Sequence, residues 1–63
     1  MTAQELRQAR EELGWTQSAL ASAIGTTLRA VQYYEAGQRP VPGPVSRLVA
    51  ITLDLARKLN ATA

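Results

Sequence analysis

Apolar positions recur every three or four residues along this chain and never alternate over the length of a strand. That periodicity predicts helices and no sheet. Four segments carry it, at about 3–13, 17–24, 27–35 and 44–60. In the first, Leu6, Ala9 and Leu13 form the apolar stripe. Its start, Thr2-Ala3-Gln4-Glu5, fits a capping box in which Thr2 accepts from an orphan amide and Glu5 reaches back. Gly14 supplies a glycine C-cap. Thr16 is placed to cap the second segment, whose Leu20, Ala21 and Ile24 face inward. Gly25 has no Cβ and can take the left-handed conformation of a sharp turn. Thr26 or Thr27 caps the third segment, which ends near Glu35, ahead of Gly37. Pro40, Pro42 and Pro44 then forbid continuous helix and make a stiff, extended connector. Gly43-Pro44 is a good start for the fourth segment, because proline at the first helical position loses no hydrogen bond. The expected fold is all-α, a compact four-helix domain spanning 1–63 with a long C-terminal helix.

The third segment raises the functional question. At about 100° per residue, Thr27, Ala30, Val31 and Tyr34 cluster on one side and are expected to face a core. Leu28, Arg29, Gln32 and Tyr33 fall on the other. A guanidinium, an amide, a phenol and a leucine, with no Lys or Glu among them, are an odd set for a face that merely stays wet. They suit the edges of base pairs: Arg bonds bidentately to guanine, Gln to adenine, and an apolar group meets the thymine methyl. Tyr33 has a hydroxyl for a phosphate or a ring for a methyl. Trp15 is expected to lie as a lid over the first two helices. Arg7, Glu11 and Glu12 are read as a solvated face.

Composition narrows the classes. A 63-residue chain is one small domain, which buries only about 60% of its unfolded-chain surface. With no cysteine there is no disulfide or thiolate site, and with no histidine the usual zinc ligand and general base are missing. Tight helix packing or oligomerisation must supply stability. The formal charge is +2, a weak signal by itself, but its placement says more. Arg29, Arg39 and Arg47 stand against Glu35 alone between residues 16 and 50, whereas the first fifteen residues are net acidic. Ser18, Ser22 and Ser46 have no histidine to activate them, and the carboxylates are too scattered for an acid–base pair or a metal cage. No enzyme activity, cofactor, metal or small-molecule ligand is expected. No window is apolar enough to span a membrane and no signal-peptide pattern opens the chain, so a soluble cytoplasmic protein is expected.

Counted from Gln17, alanine falls fifth (Ala21), glycine ninth (Gly25), valine fifteenth (Val31) and a bulky apolar residue eighteenth (Tyr34). With "LRQAREELGWTQSALASAIGTT" before and "YEAGQRP" after, residues 5 to 40 resemble the helix-turn-helix of the Xre and Cro family, which includes the phage lambda repressor. The resemblance implies a lambda-repressor-like fold and a regulator of transcription that binds double-stranded DNA in the major groove. It implies base reading by Thr27, Leu28, Arg29, Gln32 and Tyr33, phosphate contact by Gln17, Gln38 and Arg39, and a buried structural ion pair between Arg10 and Glu35. Arg47, one turn into the last helix, is a further candidate for phosphate contact. On that reading, loss of Arg39 weakens all sequences alike. The chain departs from the family at Leu28, where a polar residue is common, so Gln17 lacks a glutamine partner there. It departs again in the one long pattern that follows the connector, where two short helices are usual. "AGQRPVPGPVSRL" is similar to small phage-borne or plasmid-borne regulators, and size and layout resemble anti-CRISPR-associated repressors of phages.

In the fourth segment apolar residues cover about 200° of the helix, against somewhat more than about 100° for a helix lying on one core. The surplus predicts a homodimer, with Ile51, Leu55 and Leu59 on the seam and Val45, Val49 and Thr52 on the intrachain core. Two copies would read an inverted-repeat operator, most simply as a repressor that occludes a promoter, its own included. The alternative is an antitoxin or adaptor that grips another protein with that apolar face. Against it stands the expectation that no tail follows Ala63 to wrap a toxin.

Overall fold

In the computed structural model, which describes residues 1–61, four helices run in the order α1 (Ala3–Leu13), α2 (Gln17–Ile24), α3 (Leu28–Glu35) and α4 (Gly43–Ala61). The structure is all-α with a long C-terminal helix, and no strand occurs among the described residues.

Local chemistry sets the boundaries. Three threonines act as N-caps: the Thr2 hydroxyl accepts from the Glu5 amide at 3.1 Å, Thr16 from Ala19 at 3.0 Å and Thr27 from Ala30 at 3.1 Å. Glu5 completes the capping box by accepting from the Thr2 amide at 2.8 Å. That hydrogen bond holds the Glu5 carboxyl below its ordinary range. Gly14 and Gly25 end α1 and α2 with φ of 74° and 71°. At Gly25 the turn lets the Thr26 amide donate back to the Ala21 carbonyl at 2.9 Å, so α2 delivers the chain directly into α3.

A Cβ built on Gly25 meets nothing within 4 Å, so a side chain there costs only backbone strain. Gly25→Ala is therefore expected to lose about 1–2 kcal/mol. Urea unfolding would check it as a lower midpoint with an unchanged m-value.

Leu6 and Ala9 from α1, Leu20 and Ala21 from α2, Val31 from α3 and Val49 from α4 form the core. Trp15, Ile24, Tyr34, Val41, Val45 and Leu53 pack around it, half-buried. Ala21 and Ala30 are both buried, and such small side chains let helix axes approach closely. The connector contributes too: Val41 turns inward while its proline neighbours stay exposed.

Four expectations are corrected. Thr27 does not face the core; it is exposed, because its hydroxyl has to sit at the helix start to accept from Ala30. The place on the inner face of α3 goes to Glu35, only 4% exposed. Arg7 and Glu12 are not simply solvated. Arg7 donates to the Glu35 carbonyl at 3.2 Å, and Glu12 accepts two bonds from Arg57 at 2.6 and 2.9 Å. On α4, Leu53 packs against the core, while Thr52 is half-buried at the border with its hydroxyl donating to the Leu48 carbonyl at 2.8 Å. Successive i, i+4 positions Val45, Val49 and Leu53 make a straighter inward line than a stripe through Thr52.

The Glu12–Arg57 pair clips α1 to the outer half of α4. Arg57 holds the Glu12 carboxyl below its ordinary range, and Glu12 in turn raises Arg57. A carboxyl depressed by folding stabilises above its unfolded pKa, and the contribution is lost as pH falls through the folded value. Acidification through and below the ordinary carboxylate range is therefore expected to lower the melting temperature more in the wild type than in Glu12→Gln. Thermal melts from neutral pH into acid would show the two curves converging.

Candidate functional site

The outer face of α3 is assembled from its first residue. With Thr27 as N-cap, Leu28 and Arg29 occupy the first turn and Gln32 the second, all exposed, with Leu28 at 42%. Tyr33 follows, half-buried. The structure thus brings Leu28, Arg29, Gln32 and Tyr33 together on one side, opposite buried Ala30, Val31 and Glu35, and leaves Thr27 at the rim. The surface offers a planar bidentate donor, an amide that donates and accepts, a phenol and an apolar patch.

Besides the packing of Ala30 and Val31, one carboxylate ties α3 to α1 and α2. Arg10 Nε donates to Glu35 Oε2 at 2.7 Å and Arg10 Nη2 to Oε1 at 3.1 Å. Gln17 Nε2 donates to the same Oε1 at 3.2 Å. Arg7 Nε approaches Oε1 at 3.8 Å. The remaining arm of the Arg10 guanidinium, Nη1, bonds the Trp15 carbonyl at 2.9 Å. Glu35 raises the Arg10 pKa, chiefly through this hydrogen bonding. No buried side-chain nitrogen or oxygen among the described residues is left without a partner. A charge in the core is tolerated because its lone pairs are filled from α1 and from the first residue of α2.

Gln17 is thus tied inward through its amide nitrogen, a bond that sequence reasoning missed. Leu28 offers it no hydrogen-bonding side chain, and the carboxylate takes that part. The exit from α3 carries a second missed contact. Gly37, with φ of 76°, reverses the chain so that the Gln38 amide donates to the Tyr33 carbonyl at 3.0 Å. Arg39 then lies over the Tyr33 ring, its Cζ 4.5 Å from the centroid. Nothing in helical periodicity signals a stack across a turn. Only the glycine hints that the chain doubles back.

Arg47 lies elsewhere, on α4, lining an open groove with Gly43, Pro44, Leu48 and Ile51. Leu48, Ile51, Leu55 and Leu59 are exposed along that helix, Ile51 at 59% and Leu55 at 57%. Among the described residues, no group of His, Cys, Asp and Glu is placed to hold a metal ion, and no helix is long and apolar enough to cross a membrane.

Residues 6–59 match a family model described as Helix-turn-helix. No curated protein and no solved structure matches the chain.

Proposed function

The chain belongs to the helix-turn-helix family of DNA-binding regulators, and from that premise we propose that it is a dimeric, sequence-specific repressor in the cytoplasm. The observation that carries this reading is the outer face of α3: Leu28, Arg29 and Gln32 exposed beside Tyr33, with every residue that anchors the helix on its other side. In the proposed complex α3 lies in the major groove. Arg29 bonds a guanine, Gln32 an adenine, Leu28 meets a thymine methyl, and Thr27 and Tyr33 flank them. Gln17, Gln38, Arg39 and Arg47 contact phosphates, setting register and much of the affinity.

One such helix reads too few base pairs for specificity. The exposed stripe of Ile51, Leu55 and Leu59 supports a homodimer through α4, which would set two reading helices about 34–36 Å apart on one face of the duplex. The operator is then an inverted repeat. Occupying a promoter, including the protein's own, needs no further domain.

Selection of bound duplexes from a random pool, followed by sequencing, tests the reading. The expected result is an enriched inverted repeat with half-sites about ten base pairs apart. The same apolar stripe favours a second reading, an antitoxin or adaptor that grips another protein with α4. Absence of enrichment, with a monomer in sedimentation, would favour that reading over the repressor.

A further inference from the structure

We propose that Arg39 is a specificity-determining positioning residue: its guanidinium stacks on the Tyr33 ring and thereby couples phosphate contact to base preference. The inference rests on the reading of α3 as the DNA-reading helix.

The chain leaves α3 through Ala36, still in the helical region, and reverses at Gly37 with φ of 76°. Two amides then anchor the return to a single acceptor, the Tyr33 carbonyl, from Gln38 at 3.0 Å and from Arg39 at 3.4 Å. This brings the Arg39 guanidinium over the face of the tyrosine that carries that carbonyl, 4.5 Å from its centroid, well inside the range of about 6 Å for a cation–π contact. A tyrosine on a helix surface otherwise exchanges between staggered rotamers. A cation held over the ring by the backbone selects one of them.

A guanidinium held over a ring by its charge leaves N–H groups free to donate, since a guanidinium has five. Arg39 can therefore hold a phosphate and the tyrosine together. Displacing the guanidinium from the ring moves Tyr33 relative to the base pair that it meets. A residue that served phosphate alone would weaken every sequence equally. This one alters which base is preferred at the position of Tyr33.

Lysine shifts the balance between the two roles: it keeps the charge for a phosphate, but its compact, strongly hydrated ammonium is the less frequent cation over a ring and lacks the planar guanidinium. The experiment sequences duplexes selected from a random pool by the full chain as wild type, Arg39→Lys, Tyr33→Leu and the double variant. It also records the ring-current shift of the Arg39 δ protons in the free protein by NMR. The expected result is that Arg39→Lys flattens preference about two- to fivefold, the scale of one exposed cation–π contact, at the base pairs that Tyr33→Leu flattens. In the Tyr33→Leu background Arg39→Lys should then change preference no further. An unchanged profile in Arg39→Lys, or flattening at other base pairs, overturns the proposal. So does a wild-type spectrum in which the Arg39 shift is the same as in Tyr33→Leu, an outcome that leaves DNA reading by α3 standing. If the shift is present but the wild type enriches no sequence, DNA reading by α3 has failed, and the role of Arg39 falls with it.

Discussion

Replacing Glu35 by alanine is expected to leave the protein largely unfolded at room temperature. The carboxylate is 4% exposed and takes hydrogen bonds from Arg10 and Gln17. Removing one partner of such a buried pair costs about 3–5 kcal/mol. A single core of this size rarely supplies more than about 3–5 kcal/mol in total, so the loss is comparable to the whole stability. Far-ultraviolet circular dichroism during urea titration would show a shallow, non-cooperative curve, and DNA binding should fall in parallel. A cooperatively folded Glu35→Ala with altered base preference would contradict the structural role. A double variant, Arg10→Met with Glu35→Leu, removes both charges and should recover much of the folding. Recovery stays incomplete because Gln17 Nε2 and the Trp15 carbonyl each lose a partner.

Arg29→Ala is expected to do the opposite: fold normally and bind poorly. Arg29 is exposed near the start of α3, where alanine is the better helix former. The cost to DNA binding should be about 1–3 kcal/mol for each half-site. In the proposed homodimer both half-sites lose the contact, so the summed cost of about 2–6 kcal/mol weakens binding roughly 30-fold or more. Titration of the selected duplex and its single-base variants by fluorescence anisotropy would also show preference relaxed at one base pair per half-site. Uniform weakening across all variants would instead assign Arg29 to a phosphate.

The two variants differ in how far each residue could be understood from sequence. The helix ends were legible because their chemistry is local: Thr2, Thr16 and Thr27 lie three residues before the amide that each accepts from, and Gly14 and Gly25 carry the left-handed turns. The outward set of α3 followed from the same 3.6-residue period. A helical wheel fails at a cap, though, because it treats Thr27 as a residue inside the helix when its backbone is still extended. Burial of Glu35 contradicts the usual exposure of glutamate and came only through the resemblance in "YEAG". The Glu12–Arg57 pair joins residues 45 apart in sequence, and no local pattern encodes it. On α4 the wide apolar arc was legible as a surplus, but its division between core and surface depended on where α1 and α2 sit.

The side chains that seat α3 on the rest of the protein point inward: Ala30 and Val31 into packing, Glu35 into its cage of donors. The outward positions 28, 29 and 32 therefore vary almost independently of folding, apart from ordinary helix propensity. On the proposed reading, stability and address are written on opposite sides of the same eight residues. A lineage could exchange its recognition alphabet by point mutation without crossing an unfolded intermediate, and libraries randomised at those three positions should yield mostly folded proteins with divergent targets.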